Sequence, residues 1–305
     1  MILDLSDEAK EYGRHALRAF QAAGGDQLVQ QAEAKPDTRE ALVAPVLAGL
    51  GAWELEPRAD PDAAEAAAAL CRSAGYWALP YPVAERLARP TDLDVDGLTV
   101  VTAAAPGGTI AGLDNDWATV TTDGERSAVV GQSATGPAFT AALELSALDR
   151  DGADDVALAL VLPCWTLLGM LDRAMELTTA HVRLRKQFGQ PLSAFQGVQF
   201  QLTDAEVERS GLDMLAKYAL YSVATAGDDA LDDALALRLA AIEAAETVFR
   251  VSHQLHGAVG FCDETALSWL SRYSQPLRRL PLGLSATRDE LTRRIGTRGL
   301  TGPFS

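Results

Sequence analysis

Few residues in this chain are placed to do chemistry, and most of them crowd into one stretch. Residues 183–204 read RLRKQFGQPLSAFQGVQFQLTD. Arg185 carries a forked set of donors suited to phosphate oxygens. Gly189 and Pro191 predict a sharp chain reversal just after it. Taken singly, these residues have plainer uses. A cation at a helix C-terminus answers the dipole there, and Phe188 can plug a core. Proton transfer needs a carboxylate or an imidazole within reach of the reacting carbon. Asp154 and Asp155 precede a long helical stripe, where acids favour a helix start. Asp263 and Glu264 stand before a shorter one in the same way. His181 lies on an apolar stripe, the place of a core or interface histidine. His256 sits between Gln254 and Gly257, with no acid beside it in sequence to tune it.

Other chemistries are excluded or disfavoured. No HExxH, Walker loop or GxGxxG occurs, and no metal site is expected. A net charge of −16 argues against nucleic acid or an anionic membrane as partner. The longest apolar run, VALALVLPCWTLLGML (156–171), holds a proline and falls short of a membrane span. Cys71, Cys164 and Cys262 are far apart and read as buried free thiols. The N-terminus enters a helix without a basic-then-apolar leader, so a cytoplasmic location is expected.

The elements that must position these residues follow from periodicity. The reading is mainly α with a small β domain: an N-terminal helical domain at 1–92, a reduced β-sheet domain at 93–150, and a C-terminal antiparallel four-helix bundle at 151–305. Ser6 is the expected cap of the first helix, and Pro61 marks the start of a later one. Residues 97–148 are rich in Thr, Val and Gly. Turn pairs at Pro106-Gly107-Gly108 and Asp123-Gly124 predict short strands joined by hairpins. From about 153 three long stripes follow. The first runs from Leu160 to Leu184, the second from Val198 to Ala219, and the third from Leu235 to Phe249. Gly257 is the expected C-terminal cap of the third. Short helices are expected at 263–274 and 284–295.

The stretch RKQFGQPLSAFQGVQFQLTD resembles the acyl-CoA dehydrogenase signature, Arg-x-x-Phe-Gly-x-Pro-Leu followed by Phe-Gln and a helix. HQLHGAVGFCDETALSWLSRY (253–273) is similar to the second signature of that family. LDLSDEAKEYGRHALRAF and CRSAGYWALPYPVAERLA resemble its first helices and its Pro-x-Pro bend. The resemblance implies α,β-dehydrogenation of an acyl-CoA thioester, with FAD taking the β-hydride and a carboxylate taking the α-proton. It implies that bundle helices pair subunits and that the turn of one subunit reaches the FAD of its neighbour. On that reading Arg185 binds the FAD pyrophosphate, with Gln187 and Phe188 beside it. Gln254, Gly257 and Ala258 contact the adenosine half, Ala258 standing where the family often has a second glycine.

The resemblance also exposes departures. The family keeps its base in one of two places. Counting back from Arg185, the first falls on Ala159. The second falls in QPLRRLPLGLSA (275–286), which holds no acid. Asp155, one turn before Ala159, is the weak catalytic candidate, although Pro163 argues against a helix reaching so far. The β segment is short for the family's flavin-holding domain, and Trp117 is its only tryptophan. The expected protein is therefore the short, non-catalytic subunit of a heteromeric acyl-CoA dehydrogenase of the actinobacterial steroid type. It would pair with a full-length subunit as an α2β2 heterotetramer and share FAD with it. Two other readings stay open: a complete homo-oligomeric dehydrogenase with a displaced base, and a non-enzymatic structural or regulatory module.

Overall fold

The computed structural model describes residues 4–227 and 229–298. The expected limits at residues 1 and 305 lie outside them. Helices come first: α1 (Asp7–Ala23), α2 (Gln27–Ala34), α3 (Arg39–Gly49), α4 (Pro61–Tyr76) and α5 (Val83–Leu87). Ser6 caps α1 as expected, its hydroxyl accepting from the Ala9 N–H at 3.3 Å, with Asp7 and Glu8 in the first turn. Asp60 caps α4 by accepting from the Asp62 N–H at 3.0 Å, and Pro61 fills the first helical position.

The middle of the chain is a five-stranded sheet of β1 (Gly97–Val100), β2 (Gly107–Gly108), β3 (Trp117–Val120), β4 (Glu125–Ala134) and β5 (Ala141–Asp151). Its order is β1-β3-β4-β5-β2. The hairpin expected at Asp123-Gly124 joins β3 to β4, and a second joins β4 to β5. Two features depart from expectation. β1 and β3 run parallel, with Gly97 opposite Trp117, so a crossover and not a hairpin links them. Gly107-Gly108, expected as a turn, is an edge strand paired with Ala142 and Ala141.

The C-terminal part is built on α6 (Ala153–Leu184), a 32-residue helix. After it come the two-residue strands β6 (Lys186–Gln187) and β7 (Gln190–Pro191), then α7 (Gln196–Ala224) and α8 (Ala230–His256). Short connections between packed helices make α6, α7 and α8 antiparallel neighbours. No fourth long helix joins them among the described residues. The shorter α9 (Ala266–Arg279) packs on α6 and α8, and α10 (Leu284–Arg298) packs on α8.

The argument from Pro163 fails, because α6 passes straight through it. A proline inside a helix removes one N–H and leaves the carbonyl four residues back, here Ala159, without its partner. Burial overrides that loss. α6 is the spine of the molecule, with α4 on one side and α7 and α8 on the other, and it also touches α5, α9, β1 and β3. By length and composition it is apolar enough to cross a membrane, yet 83% of its most apolar window is buried within the chain. The expected shortness of that apolar run is thereby corrected: the segment is a long core helix. Cys71 and Cys164 are buried free thiols as expected, but Cys262 is exposed.

Candidate functional site

Arg185 is the residue that ends α6, its backbone N–H bonded to the His181 carbonyl at 2.8 Å. The backbone then reverses over Phe188-Gly189. Both have positive φ, +51° and +83°, as a tight two-residue hairpin requires. Glycine is at ease there. Phenylalanine is not, and such a conformation costs about 1–3 kcal/mol. Phe188 is 92% exposed and meets the Phe195 ring edge-on. It is no core plug: the turn presents an aromatic ring outward under strain. Arg185, Lys186 and Gln187 are exposed with it, and Arg185 has no ion-pair partner among the described residues.

Gln254, Gly257 and Ala258 lie at the end of α8 and in the 3-10 turn after it, all exposed. Gly257 has φ +64°, so glycine is needed there for its dihedral. A Cβ at that position would meet nothing within 4 Å in this chain, which leaves the backbone open to a ligand.

Two histidines hold these segments together. His181, on the last turns of α6, stacks on His256 of α8 with ring centroids 4.3 Å apart. The stack places the Arg185 turn and the Gln254–Ala258 turn at the same end of the helical layer. Desolvation lowers the pKa of both rings, and for His181 the neighbouring His256 and Arg185 add to it. Both are therefore neutral at pH 7, which a stacked pair needs. His256 Nδ1 is 2.8 Å from the Ser252 carbonyl. Beside them His253 stacks on Phe261 at 4.3 Å.

Asp155 lies elsewhere, in the first turn of α6, and it is 4% exposed. Its carboxylate accepts from Arg126 of β4 through Nε at 2.8 Å and Nη2 at 2.6 Å, and it faces Arg58 at 3.4 Å. Arg126 continues to Asp92 at 2.7 Å. The arrangement pins β4 and the α4 approach to the start of α6. The two guanidiniums engage the carboxylate as a buried structural anchor. Asp155→Asn should lower stability by about 3 kcal/mol, because it strips a buried pair of one charge. Thermal melts check this; an unchanged midpoint would refute the buried ion-pair role of Asp155.

Ala159 lines a small cavity of about 30 Å³. Leu160 and Pro163 of α6, Leu277 of α9 and the Leu280-Pro281 segment wall it. One acid enters the cavity, and sequence spacing gave no sign of it: Glu85 of α5. Burial pushes its carboxyl above the ordinary carboxylate range, against the Thr109 hydroxyl that donates to it at 3.2 Å. Trp117 is buried in β3 against Gly97 and takes no part in a surface site. No cluster of metal-ligating side chains occurs among the described residues.

A long central helix crossing α4, a small sheet beside it, and an exposed arginine–phenylalanine turn at the end of the helical layer define an acyl-CoA dehydrogenase type of fold. Residues 161–283 match the family model described as acyl-CoA dehydrogenase, C-terminal domain. The acyl-CoA dehydrogenase FadE28 of Mycobacterium tuberculosis is 36% identical over 92 residues, covering 30% of this chain and 27% of that protein. The match thus spans about a quarter of that relative. Among solved structures, the ChsE4-ChsE5 complex from Mycobacterium tuberculosis aligns over 98% of this chain and 100% of its own. Its TM-score is 0.74 at 16% identity. A Tcur3481-Tcur3483 steroid acyl-CoA dehydrogenase variant aligns over 95% and 98%, with TM-score 0.75 at 18% identity. At these identities the likeness is one of fold.

Proposed function

We propose that this chain is the short, non-catalytic subunit of a heteromeric FAD-dependent acyl-CoA dehydrogenase, completing the cofactor site of a full-length partner. The observation that carries the reading is where exposed apolar surface lies. Leu184 and Phe188 stand out on the α6–α7 turn, at 81% and 92% exposure. Phe200, Val207, Met214 and Tyr221 follow along α7, every seventh residue, and all are exposed. A seven-residue apolar repeat is the spacing by which one helix packs along another. Val259 and Phe261 add to the same class of surface after α8. A single chain has no use for such a surface; a second subunit does.

FAD, when bound, supplies the hydride acceptor for α,β-dehydrogenation of an acyl-CoA. The residues fit it: Arg185 is an exposed guanidinium without an ion pair, suited to the pyrophosphate, and the open backbone at Gly257 admits close approach. Gln187, Phe188, Gln254 and Ala258 would flank them. The His181–His256 stack fixes the spacing of the two turns. The family's base position at Ala159 carries no acid, and the space around it holds about one or two waters. An α2β2 assembly, a cytoplasmic location and a bulky, steroid-derived acyl group are part of the proposal. Likeness to the two-chain ChsE4-ChsE5 complex and to the Tcur3481-Tcur3483 steroid acyl-CoA dehydrogenase supports the partner, and the second of these supports the substrate class.

The test is flavin per chain, measured on the purified chain alone and after co-expression with a full-length acyl-CoA dehydrogenase subunit. The chain alone should be colourless, and the co-purified complex should hold flavin stoichiometric with the partner. Stoichiometric flavin on the chain alone would point to the complete homo-oligomer and make Glu85 the first base to mutate. Neither partner nor flavin would leave the non-enzymatic module.

A further inference from the structure

Three of the chain's four histidines, His181, His253 and His256, gather at the end of the helical layer that carries both candidate cofactor turns. The stack of His181 on His256 joins the end of α6 to the end of α8. The rings lie 4.3 Å apart and 23° from parallel. His256 Nδ1 is 2.8 Å from the Ser252 carbonyl, which can only accept. Nδ1 therefore carries the proton, and Nε2 is bare in the neutral ring. His181 has no hydrogen-bond partner among the described residues, so the stack is what orients it.

The surroundings of the pair are positive or neutral. Arg185 at the end of α6 bears on His181, and Arg278 of α9 bears on His253. Arg183 and Lys186 flank the turn with further positive charge. The 3-10 turns packed there, Leu192–Ala194 and Gly257–Phe261, hold no ionisable side chain, and neither do residues 196–203 at the start of α7. The first acid after Gly257–Phe261 is Asp263, which accepts from Arg272 at 2.8 Å. Glu246 on α8 bears on Arg278. No carboxylate among the described residues acts on either stacked ring. Two imidazolium rings at this separation would repel each other with nothing to offset it.

The direction of the response to pH follows. Desolvation, then His256 and Arg185, hold His181 below the ordinary imidazole value, and desolvation holds His256 below it. A ring freed from the stack regains the ordinary value of about 6.5. The open arrangement therefore binds protons more readily than the closed one. The stack is at full strength above about pH 6.5 and is lost as pH falls through the lower value of the closed pair.

We propose that the His181–His256 stack is a proton-operated latch, closed while both rings are neutral and opened by protonation, which lets the Arg185 turn and the Gly257 turn part. Its effect on flavin rests on the shared cofactor site proposed above; the latch itself belongs to this chain and is tested on the full chain alone. Cys262 is an exposed thiol just after the Gly257 turn, whereas Cys71 and Cys164 are buried. Nitroxide labels on Cys262 and on Lys186→Cys, at an exposed position of β6, therefore report the separation of the two turns. Pulsed double electron–electron resonance should give one narrow distance at about pH 7.5 and a longer or broader one at about pH 5.5. His181→Phe keeps an aromatic face on which a protonated His256 can rest, and it cannot itself titrate, so its distance should be the same at both values. In the unlabelled wild type, the Cε1–H resonances of His181 and His256 should titrate below about pH 6.5. A wild-type distance indifferent to pH, or the same lengthening in His181→Phe, overturns the latch. Titration of either ring at or above about pH 6.5 overturns it equally. In the co-purified complex, acid should release flavin from the wild type and spare His181→Phe. A chain that opens in acid while its complex keeps flavin would overturn the cofactor reading and leave the latch standing.

Discussion

Gly169→Ala should yield no soluble folded protein, and Gly75→Ala should behave the same way. The two glycines face each other's helices where α4 crosses α6. A Cβ built on Gly169 lies 1.9 Å from the Arg72 carbonyl oxygen and 2.9 Å from the Tyr76 nitrogen. One built on Gly75 lies 1.8 Å from the Thr166 carbonyl oxygen. Both clashes are with main chain, so no side-chain rotation relieves them. The helices would have to separate, and they hold fully buried groups such as Trp165, Leu70 and Leu168. Forfeiting that packing exceeds the roughly 4–5 kcal/mol that marks the extreme of point mutations. It is comparable with the whole stability of a typical domain, about 5–15 kcal/mol. Gly211→Ala is the control. Gly211 lies within α7 with nothing within 4 Å of a built Cβ, so alanine there should be neutral or stabilise by about 0.5–1 kcal/mol. Soluble yield and circular-dichroism melts decide; a soluble Gly169→Ala chain with a wild-type midpoint would refute the close crossing.

Local signals were legible in the sequence, and contacts between distant segments were not. The cap at Ser6, the start at Pro61 and the stop at Gly257 are read from adjacent residues, and each stands where expected. The stripes on α6, α7 and α8 follow a helical period and were equally plain. The parallel β1–β3 pair was hidden because nothing in a strand's own residues names a neighbour across a crossover. Pro163 misled because its local preference was outweighed by burial of α6 on every side. Asp155 looked available because Arg126 and Arg58, which occupy it, come from other elements. Glu85 beside Ala159, and His181 upon His256, are encounters that only the fold creates. The candidate cofactor residues were found from two motifs, but what spaces those motifs was not.

In the proposed complex with a full-length partner, Arg185→Glu should strip flavin while leaving this chain folded. The side chain is exposed, ends α6 and has no internal ion pair, so little of the chain's own stability depends on it. Its proposed use is external. A charge-assisted hydrogen bond contributes about 1.5–3 kcal/mol, which corresponds to roughly 10–100-fold in affinity. Reversing the charge beside a pyrophosphate adds repulsion to that loss. Flavin per partner chain, read by absorbance after gel filtration, should therefore fall well below that of the wild-type complex. Arg183→Glu separates this from a general electrostatic effect, because it carries the same charge change two residues earlier on the exposed end of α6. Flavin content should be indifferent to it. Equal retention of flavin by both variants would mean that the turn meets its partner without touching the cofactor. In that case the strained Phe188 ring would be left as the reason for the turn's shape.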